Sequence, residues 1–93
     1  MKIYYISILE QYYQNNNNLF GKDLYTKTES DGKFYVKKKR AIKIAKSIFE
    51  QLSEKEVYQQ EYANFIQNED EGRFSLKTVE GNFLSIFVNE LVG

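Results

Sequence analysis

Residues 2–9 carry apolar side chains on both faces of an alternating, strand-like segment, and this restricts the folds open to the chain. One face consists of Tyr4, Ile6 and Ile8, and the other of Ile3, Tyr5 and Leu9. A strand with one side in water would instead alternate apolar and polar residues. The pattern therefore predicts an N-terminal strand that lies inside a sheet or is covered on both sides.

Glycine divides the rest of the chain, which contains no proline. An Asp31-Gly32 pair separates strand-like residues 24–28 from residues 34–36, and such a pair is a strong signal for a tight hairpin turn. The four asparagines at 15–18 favour a loop after the first strand. We therefore predict a first hairpin that turns at Asp31-Gly32.

A second hairpin is predicted near the C-terminus, where Glu80-Gly81 separates residues 74–78 from residues 83–88. The alternative is a terminal helix capped by Asn82, because Phe83, Phe87 and Leu91 also match helical spacing. Phe, Ile and Val dominate the segment, and these residues favour strands. We therefore expect a strand.

Residues 38–52 have the clearest helical periodicity. The apolar stripe consists of Ala41, Ile44, Ala45, Ile48 and Leu52. Three- and four-residue spacing is typical of a helix that buries one face. The apolar phase breaks after Leu52, where Lys55 and Glu56 occupy the expected core positions, so we predict a turn near Ser53.

Residues 54–67 are open to two interpretations. Ser53 and Glu56 fit a helix capping box, and Tyr58, Tyr62, Phe65 and Ile66 repeat at helical spacing. A strand that follows a single crossover helix is the alternative, and we favour the helix. Together these segments predict one α+β domain over residues 1–93, with an antiparallel sheet of two hairpins plus the N-terminal strand and one or two helices packed on it.

The residue types that are absent limit the chemistry. The chain has no His and no Cys, so the commonest general base, the thiolate nucleophile and the preferred transition-metal ligands are missing. The serines have no histidine to activate them, and residues 68–72 lack the spacing of a calcium-binding loop. We expect no enzymatic activity, no metal site and no cofactor.

Charge is segregated along the sequence. A basic segment spans residues 33–46 without an acidic residue and contains Lys33, Lys37, Lys38, Lys39, Arg40, Lys43 and Lys46. Between residues 47 and 72 seven acidic residues are opposed only by Lys55. The basic segment suggests contact with nucleic-acid phosphates, although cations at a helix start oppose the helix dipole.

The acidic segment suggests a partner-binding surface, because spaced carboxylates can pair with arginines in the groove of a partner. Tyr12 and Tyr13 are predicted to be the most exposed of the eight tyrosines, and tyrosine is favoured in interfaces. The predicted surface consists of Glu54, Glu56, Glu61, Glu69, Asp70, Glu71, Tyr12 and Tyr13.

In composition the chain resembles small proteins from phages and mobile elements of AT-rich bacteria. It is rich in Lys, Asn, Ile and Tyr, has an asparagine run at 15–18 and lacks Cys and Pro. Residues 33–36 (KFYV) followed by 40–46 (RAIKIAK) look like the hairpin-then-helix layout common in such proteins. Anti-CRISPR inhibitors are one group of this kind, and the resemblance implies stoichiometric binding to a host effector, often by blocking its nucleic-acid groove with acidic residues.

The sequence therefore favours a protein-binding module, and the resemblance implies a phage-encoded, anti-CRISPR-like inhibitor that occludes a host effector complex in the cytoplasm. One alternative is a small nucleic-acid-binding protein that uses Lys37, Lys38, Lys39, Arg40, Lys43 and Lys46. Another is a homo-oligomeric phage structural component that pairs its edge strands. No stretch of the sequence is apolar over a length that would span a membrane, so we expect no membrane partner.

Overall fold

A computed structural model of the chain describes residues 2–15, 21–59 and 64–92. Along the sequence its elements are strand β1 (Lys2–Asn15), strand β2 (Lys22–Ser30), helix α1 (Lys38–Leu52), a 3-10 turn (Glu56–Tyr58), strand β3 (Asn64–Asn68), strand β4 (Arg73–Lys77) and strand β5 (Phe83–Val92). The five strands form one sheet with the order β2-β1-β5-β4-β3, and every neighbouring pair is antiparallel. The predicted α+β class is confirmed.

The N-terminal strand lies inside the sheet, as its apolar faces predict. Ile8 of β1 is opposite Glu29 of β2 on one side and Ile86 of β5 on the other. On the α1 side of β1, residues 4, 6, 8 and 10 are buried. The other side is mostly half-buried, and no described helix or strand packs on it. Coverage on both sides is therefore not observed among the described residues.

The predicted first hairpin is wrong. β2 pairs with β1 rather than with residues 34–36, and Tyr35 makes only an isolated bridge to Tyr4, with N···O distances of 2.7 and 2.8 Å. Asp31 accepts hydrogen bonds from the Lys33 N–H and the Tyr35 hydroxyl, so the Asp31-Gly32 turn directs the chain toward α1. β1 offers β2 nine paired positions, many more than residues 34–36 can provide. Residues 16–18 of the asparagine run lie outside the described residues.

Helix α1 has the predicted bounds and packs on one face of the sheet. Ala41, Ala45 and Phe49 are buried, and the Phe49 ring lies 6.0 Å from the Phe74 ring of β4 between centroids. Small alanines allow the helix to approach the sheet closely, and Phe49 fills the space beyond them. The helix ends at Leu52 with Ser53 as its C-cap, where the break in apolar phase predicts a turn. No helix in the described part of the chain is long and apolar enough to cross a membrane.

The favoured helix over residues 54–67 is also wrong. Only Glu56–Tyr58 form a short 3-10 turn, and Asn64–Asn68 form the edge strand β3, which was the alternative. Residues 60–63 lie outside the described residues. Tyr58 is buried because its hydroxyl donates a hydrogen bond to the Glu10 carboxylate on β1. Residues 64–68 form a strand because they pair with β4.

The second hairpin is confirmed, as is the preference for a strand at its C-terminal arm. Asn82 closes the turn between β4 and β5 instead of capping a helix: its N–H donates to Thr78 Oγ1 at 2.9 Å, and its carbonyl accepts from the Thr78 N–H at 2.8 Å. The hairpin places β5 in the middle of the sheet, between β1 and β4.

Candidate functional site

No described helix or strand packs on the side of the sheet that faces away from α1. Directly opposite residues of antiparallel strands point to the same side, so the strand registers define this uncovered face. It consists of Ile3, Tyr5, Ser7, Leu9, Gln11 and Tyr13 of β1; Leu24, Thr26, Thr28 and Ser30 of β2; Asn64, Ile66 and Asn68 of β3; Arg73, Ser75 and Lys77 of β4; and Phe83, Ser85, Phe87, Asn89 and Leu91 of β5.

None of the residues just named carries a carboxylate, and the charged ones among them are Arg73 and Lys77 of β4. By register the pair Asn15 and Lys22 continues the same set at the end of β1 and β2, which adds a cation and no carboxylate. The acidic residues of the described strands all lie on the helix side, where Glu10, Glu29 and Glu90 are opposite Leu84, Ile8 and Tyr4, and Asp23 is opposite Gln14. The sheet therefore separates charge by face, with all of its carboxylates on the side of α1.

Two depressions lie on the uncovered face. The smaller, of about 200 Å³, is lined by Arg73, Ser75, Ser85 and Phe87. The larger, of about 410 Å³, is lined by Tyr5, Ser30, Gly32, Lys33, Phe34 and Leu91. Each combines an aromatic ring with a cation, and Phe34 is 69% exposed while it contacts Tyr5 edge-on at 6.4 Å between ring centroids. The face thus offers concave apolar contact with cations at the margin.

The predicted acidic surface is divided. Glu69 forms an ion pair with Lys46 at 2.6 Å, and Asp70 lines a groove of about 460 Å³ with Glu69, Lys38, Lys39 and Ile42. Glu71 is exposed in the same turn. Glu54 and Glu56 instead follow the C-terminal end of α1. Glu61 lies outside the described residues. The structure therefore does not bring the described acidic residues into one surface.

The predicted basic surface meets part of the acidic one. Lys37 is at the N-cap of α1 without a side-chain cap, and Lys38, Lys39, Arg40 and Lys43 are exposed. A hydrogen bond and the charge of Glu69 raise the pKa of Lys46. The two segments of opposite charge therefore neutralise each other in part, which reduces the potential that either could present to a partner.

The two predicted interface tyrosines point to opposite sides of the sheet. Tyr13 belongs to the uncovered face and is 41% exposed. Tyr12 lies on the helix side and is half-buried, with its ring 4.8 Å from Tyr25 and 6.1 Å from Tyr58 between centroids. Tyr12 is therefore part of the packing around the core, and the expectation that it is among the most exposed tyrosines is wrong.

Glu10 is a buried carboxylate that the sequence pattern does not predict. Glu10 is 1% exposed and accepts hydrogen bonds from Lys55 Nζ at 2.8 Å and from the Tyr58 hydroxyl at 3.1 Å. Burial and the neighbouring Glu10 raise the pKa of Tyr58 well above its ordinary value. The available signal was that Glu10 continues the alternating buried series Tyr4, Ile6, Ile8. The cluster anchors the turn after α1 to β1.

Asn82 provides a second anchor at the same end of the molecule. Its side-chain carbonyl accepts from the Tyr13 N–H at 3.0 Å, and its amide donates to the Val57 carbonyl at 2.8 Å. The side chain thus links β1, the β4–β5 turn and the 3-10 turn. Every buried side-chain polar atom in the described part of the chain has a partner, and no group of three potential metal ligands is found there.

No protein-family model, curated protein or solved structure matches the chain. Inferences about function therefore rest on the geometry and chemistry of its own residues.

Proposed function

We propose that this protein is a non-enzymatic binding module that holds a partner protein on the uncovered face of its sheet. The observation that carries the proposal is the composition of that face: in the described strands it has aromatic and aliphatic side chains, small polar residues and cations, and no carboxylate. Protein interfaces are enriched in Tyr, Phe and Arg and depleted of Asp and Glu at their centres. Exposed apolar patches with polar residues at their margin mark interaction surfaces.

The size of the uncovered face suits a stable complex. The five strands have 14, 9, 5, 5 and 10 residues. At a rise of about 3.4 Å per residue and a strand spacing of about 4.8 Å they cover roughly 700 Å². A standard protein–protein interface buries about 800 Å² on each partner. A partner that covered the whole face would therefore form an interface of ordinary size.

The charges of the face suggest the chemistry of the partner. Arg73 and Lys77 lie at the two ends of β4 on this face, and Lys33 lines the larger depression. A partner with an apolar centre and carboxylates at its rim would complement them, since an arginine can hold a carboxylate through two hydrogen bonds. A second copy of this chain would bring no carboxylate to the same face.

The resemblance to anti-CRISPR inhibitors fits the proposal, because those proteins act by stoichiometric binding. An inhibitor of a host effector in the cytoplasm is the role that this resemblance suggests, and a chain without cysteine suits a reducing compartment. The contact surface we propose is not the acidic segment, because Glu69 is paired with Lys46. The same pairing weakens the case for nucleic-acid binding through the basic segment.

Matched charge reversals test the proposal. The tagged protein is used to capture partners from a nuclease-treated bacterial lysate, and two double variants are compared with the wild type. R73E/K77E reverses an exposed Arg and Lys on the uncovered face, and R40E/K43E reverses an exposed Arg and Lys on α1. We expect a stoichiometric protein partner that the wild type and R40E/K43E retain and R73E/K77E loses.

The opposite pattern, with the partner lost only by R40E/K43E, would transfer the binding site to the basic segment. A parallel capture from untreated lysate serves as the comparison, and recovery there that disappears on nuclease treatment would indicate nucleic acid instead of protein. Circular dichroism of each variant checks that the fold is unchanged, which we expect because all four side chains are exposed.

A further inference from the structure

The outer edge of β3 differs from the other edge of the sheet. β2, at one end of the sheet, carries Asp23, Lys27 and Glu29, of which the last two form an ion pair at 3.4 Å. β3, at the other end, contains no charged residue, no proline and no glycine. Charged residues on an edge strand block pairing with other chains. β2 is therefore protected against edge pairing, whereas β3 is not.

The β3 edge is also accessible. All five of its residues are exposed, including Phe65 at 60% and Ile66 at 67%. Phe65 is opposite Leu76 on the helix side, and Ile66 is opposite Ser75 on the uncovered face. Because β4 uses only one edge of β3, alternate backbone N–H and C=O groups point outward without a strand beside them in the described part of the chain.

The sequence of β3 is compatible with itself in an antiparallel pair. With Ile66 on a two-fold axis, Phe65 is opposite Gln67 and Asn64 is opposite Asn68 of the other copy, so no charges of like sign meet. Asparagine and glutamine side chains can both donate and accept hydrogen bonds. In this register, residues on the helix side of one copy lie opposite residues on the helix side of the other, as a continuous sheet requires.

We infer that β3 is a dimerisation edge: two copies of this chain pair their β3 strands antiparallel about Ile66 and form one ten-stranded sheet. The two helices then lie on one side and the two uncovered faces lie next to each other on the other side. The symmetric arrangement is closed, because each copy uses its unprotected edge and leaves the charged β2 edge outermost. The pairing does not depend on the proposed function, since it uses the strand edge rather than the uncovered face.

The short length of β3 sets the expected strength. Five paired residues span roughly 17 Å and bury much less than a standard interface. We therefore expect a reversible dimer that forms between about 10 µM and 1 mM. Sedimentation velocity across that range measures the association of the full chain.

Charge substitutions at position 66 test the two-fold axis. Two copies of I66K place two ammonium groups opposite each other, and two copies of I66E place two carboxylates there, so each variant should weaken dimerisation at least about tenfold. A mixture of I66K and I66E pairs opposite charges and should restore a dimer that contains one of each. T26K adds the same charge to an exposed residue of the β2 edge and should leave association unchanged.

A cysteine at the same position gives an independent measurement. The natural chain contains no cysteine, so mild oxidation of I66C should give a disulfide-linked dimer faster than oxidation of T26C. A wild-type chain that stays monomeric up to 1 mM, or I66K that associates as strongly as the wild type, would overturn the inference. Failure here leaves the R73E/K77E comparison untouched, because those residues do not lie on β3.

Discussion

Lys46 Nζ on α1 lies 2.6 Å from Glu69 Oε1, one residue past the end of β3. The two residues belong to the basic and the acidic segment of the sequence, respectively. Asp70 extends this contact toward the start of the helix, beside Lys38 and Lys39. Part of the basic segment, on the helix, thus pairs with part of the acidic segment, in the turn that follows β3. Both side chains are about half exposed, so the pair contributes little to stability and mainly lowers the charge that each segment presents.

Position 72, at the end of this acidic turn, requires glycine because its φ is positive and a side chain there would collide with α1 and β5. Its φ is +71°, and a Cβ there would lie 2.8 Å from Val88 Cγ2 and 3.0 Å from Ile42 Cγ1. We predict that G72A lowers the free energy of unfolding by about 2–4 kcal/mol, through backbone strain and overpacking. G32A is the matched control, because Gly32 has φ +77° with nothing within 4 Å, and it should cost about 1 kcal/mol. Urea denaturation measures both, and equal losses would contradict the packing argument.

Lys55 is predicted to stabilise the buried carboxylate of Glu10. Among the described residues, replacement by methionine leaves Glu10 with the Tyr58 hydroxyl as its remaining side-chain donor. We expect K55M to cost about 1–2 kcal/mol, less than a fully buried pair because Lys55 is 43% exposed. E10Q/K55M removes the uncompensated charge and keeps an acceptor for Tyr58, so it should be more stable than K55M. A double variant that is less stable than K55M would argue against a buried charge at this position.

Asn82 should contribute more to stability than an asparagine at the surface of the sheet. N82A leaves the Tyr13 N–H and the Val57 carbonyl without their side-chain partner, and we predict a loss of about 2–3 kcal/mol. N89A, which removes a single hydrogen bond to Ser7 on the uncovered face, should cost at most about 1 kcal/mol. Thermal or urea denaturation of the two variants checks the difference, and similar losses would show that Asn82 does not link the three segments.

Stability should fall at high pH because two tyrosines ionise less readily in the folded chain. Burial and the hydrogen bond to Asp31 raise the pKa of Tyr35 to about 12, and burial beside Glu10 raises the pKa of Tyr58 as well. Both groups keep their protons in the folded state while the unfolded chain loses them above about pH 10, so their contribution is complete below pH 10 and is lost as pH rises. Each contributes a slope of about 1.4 kcal/mol per pH unit. Y35F and Y58F should each flatten the dependence of the unfolding free energy on pH between 10 and 12, and an unchanged slope would contradict the assignment.

The helix and the C-terminal hairpin could be predicted because their signals are local. The apolar spacing from Ala41 to Leu52 lies within one helix, and Glu80-Gly81 joins two strands that are neighbours in the sheet. The pairing of residues 22–30 could not be predicted, because the Asp31-Gly32 signal is local. It carries no information about β1, which is a longer partner for these residues. The helical spacing of Tyr58 and Phe65 was misleading for a similar reason, since Glu10 and the edge of β4 determine where those residues lie.

The candidate site was missed because its pattern crosses five strands. Along the chain the clearest charge pattern is the contrast between the basic residues 33–46 and the mainly acidic residues 47–72. The separation of charge between the two sides of the sheet has a period of two and appears only when the strand registers are known. The apolar second face of β1, with Tyr5 and Leu9, is the one local sign of the site. By itself it predicts only a strand that lies inside a sheet or is covered on both sides.

Site-specific photo-crosslinking tests the central claim most directly. A photoreactive phenylalanine analogue is placed at Phe87, in the smaller depression of the uncovered face, and in a second variant at the exposed Lys43 of α1. After irradiation with the captured partner, the account predicts a covalent adduct with that protein from position 87 and none from position 43. An adduct from position 43 alone, while the complex is intact, would contradict binding through the uncovered face.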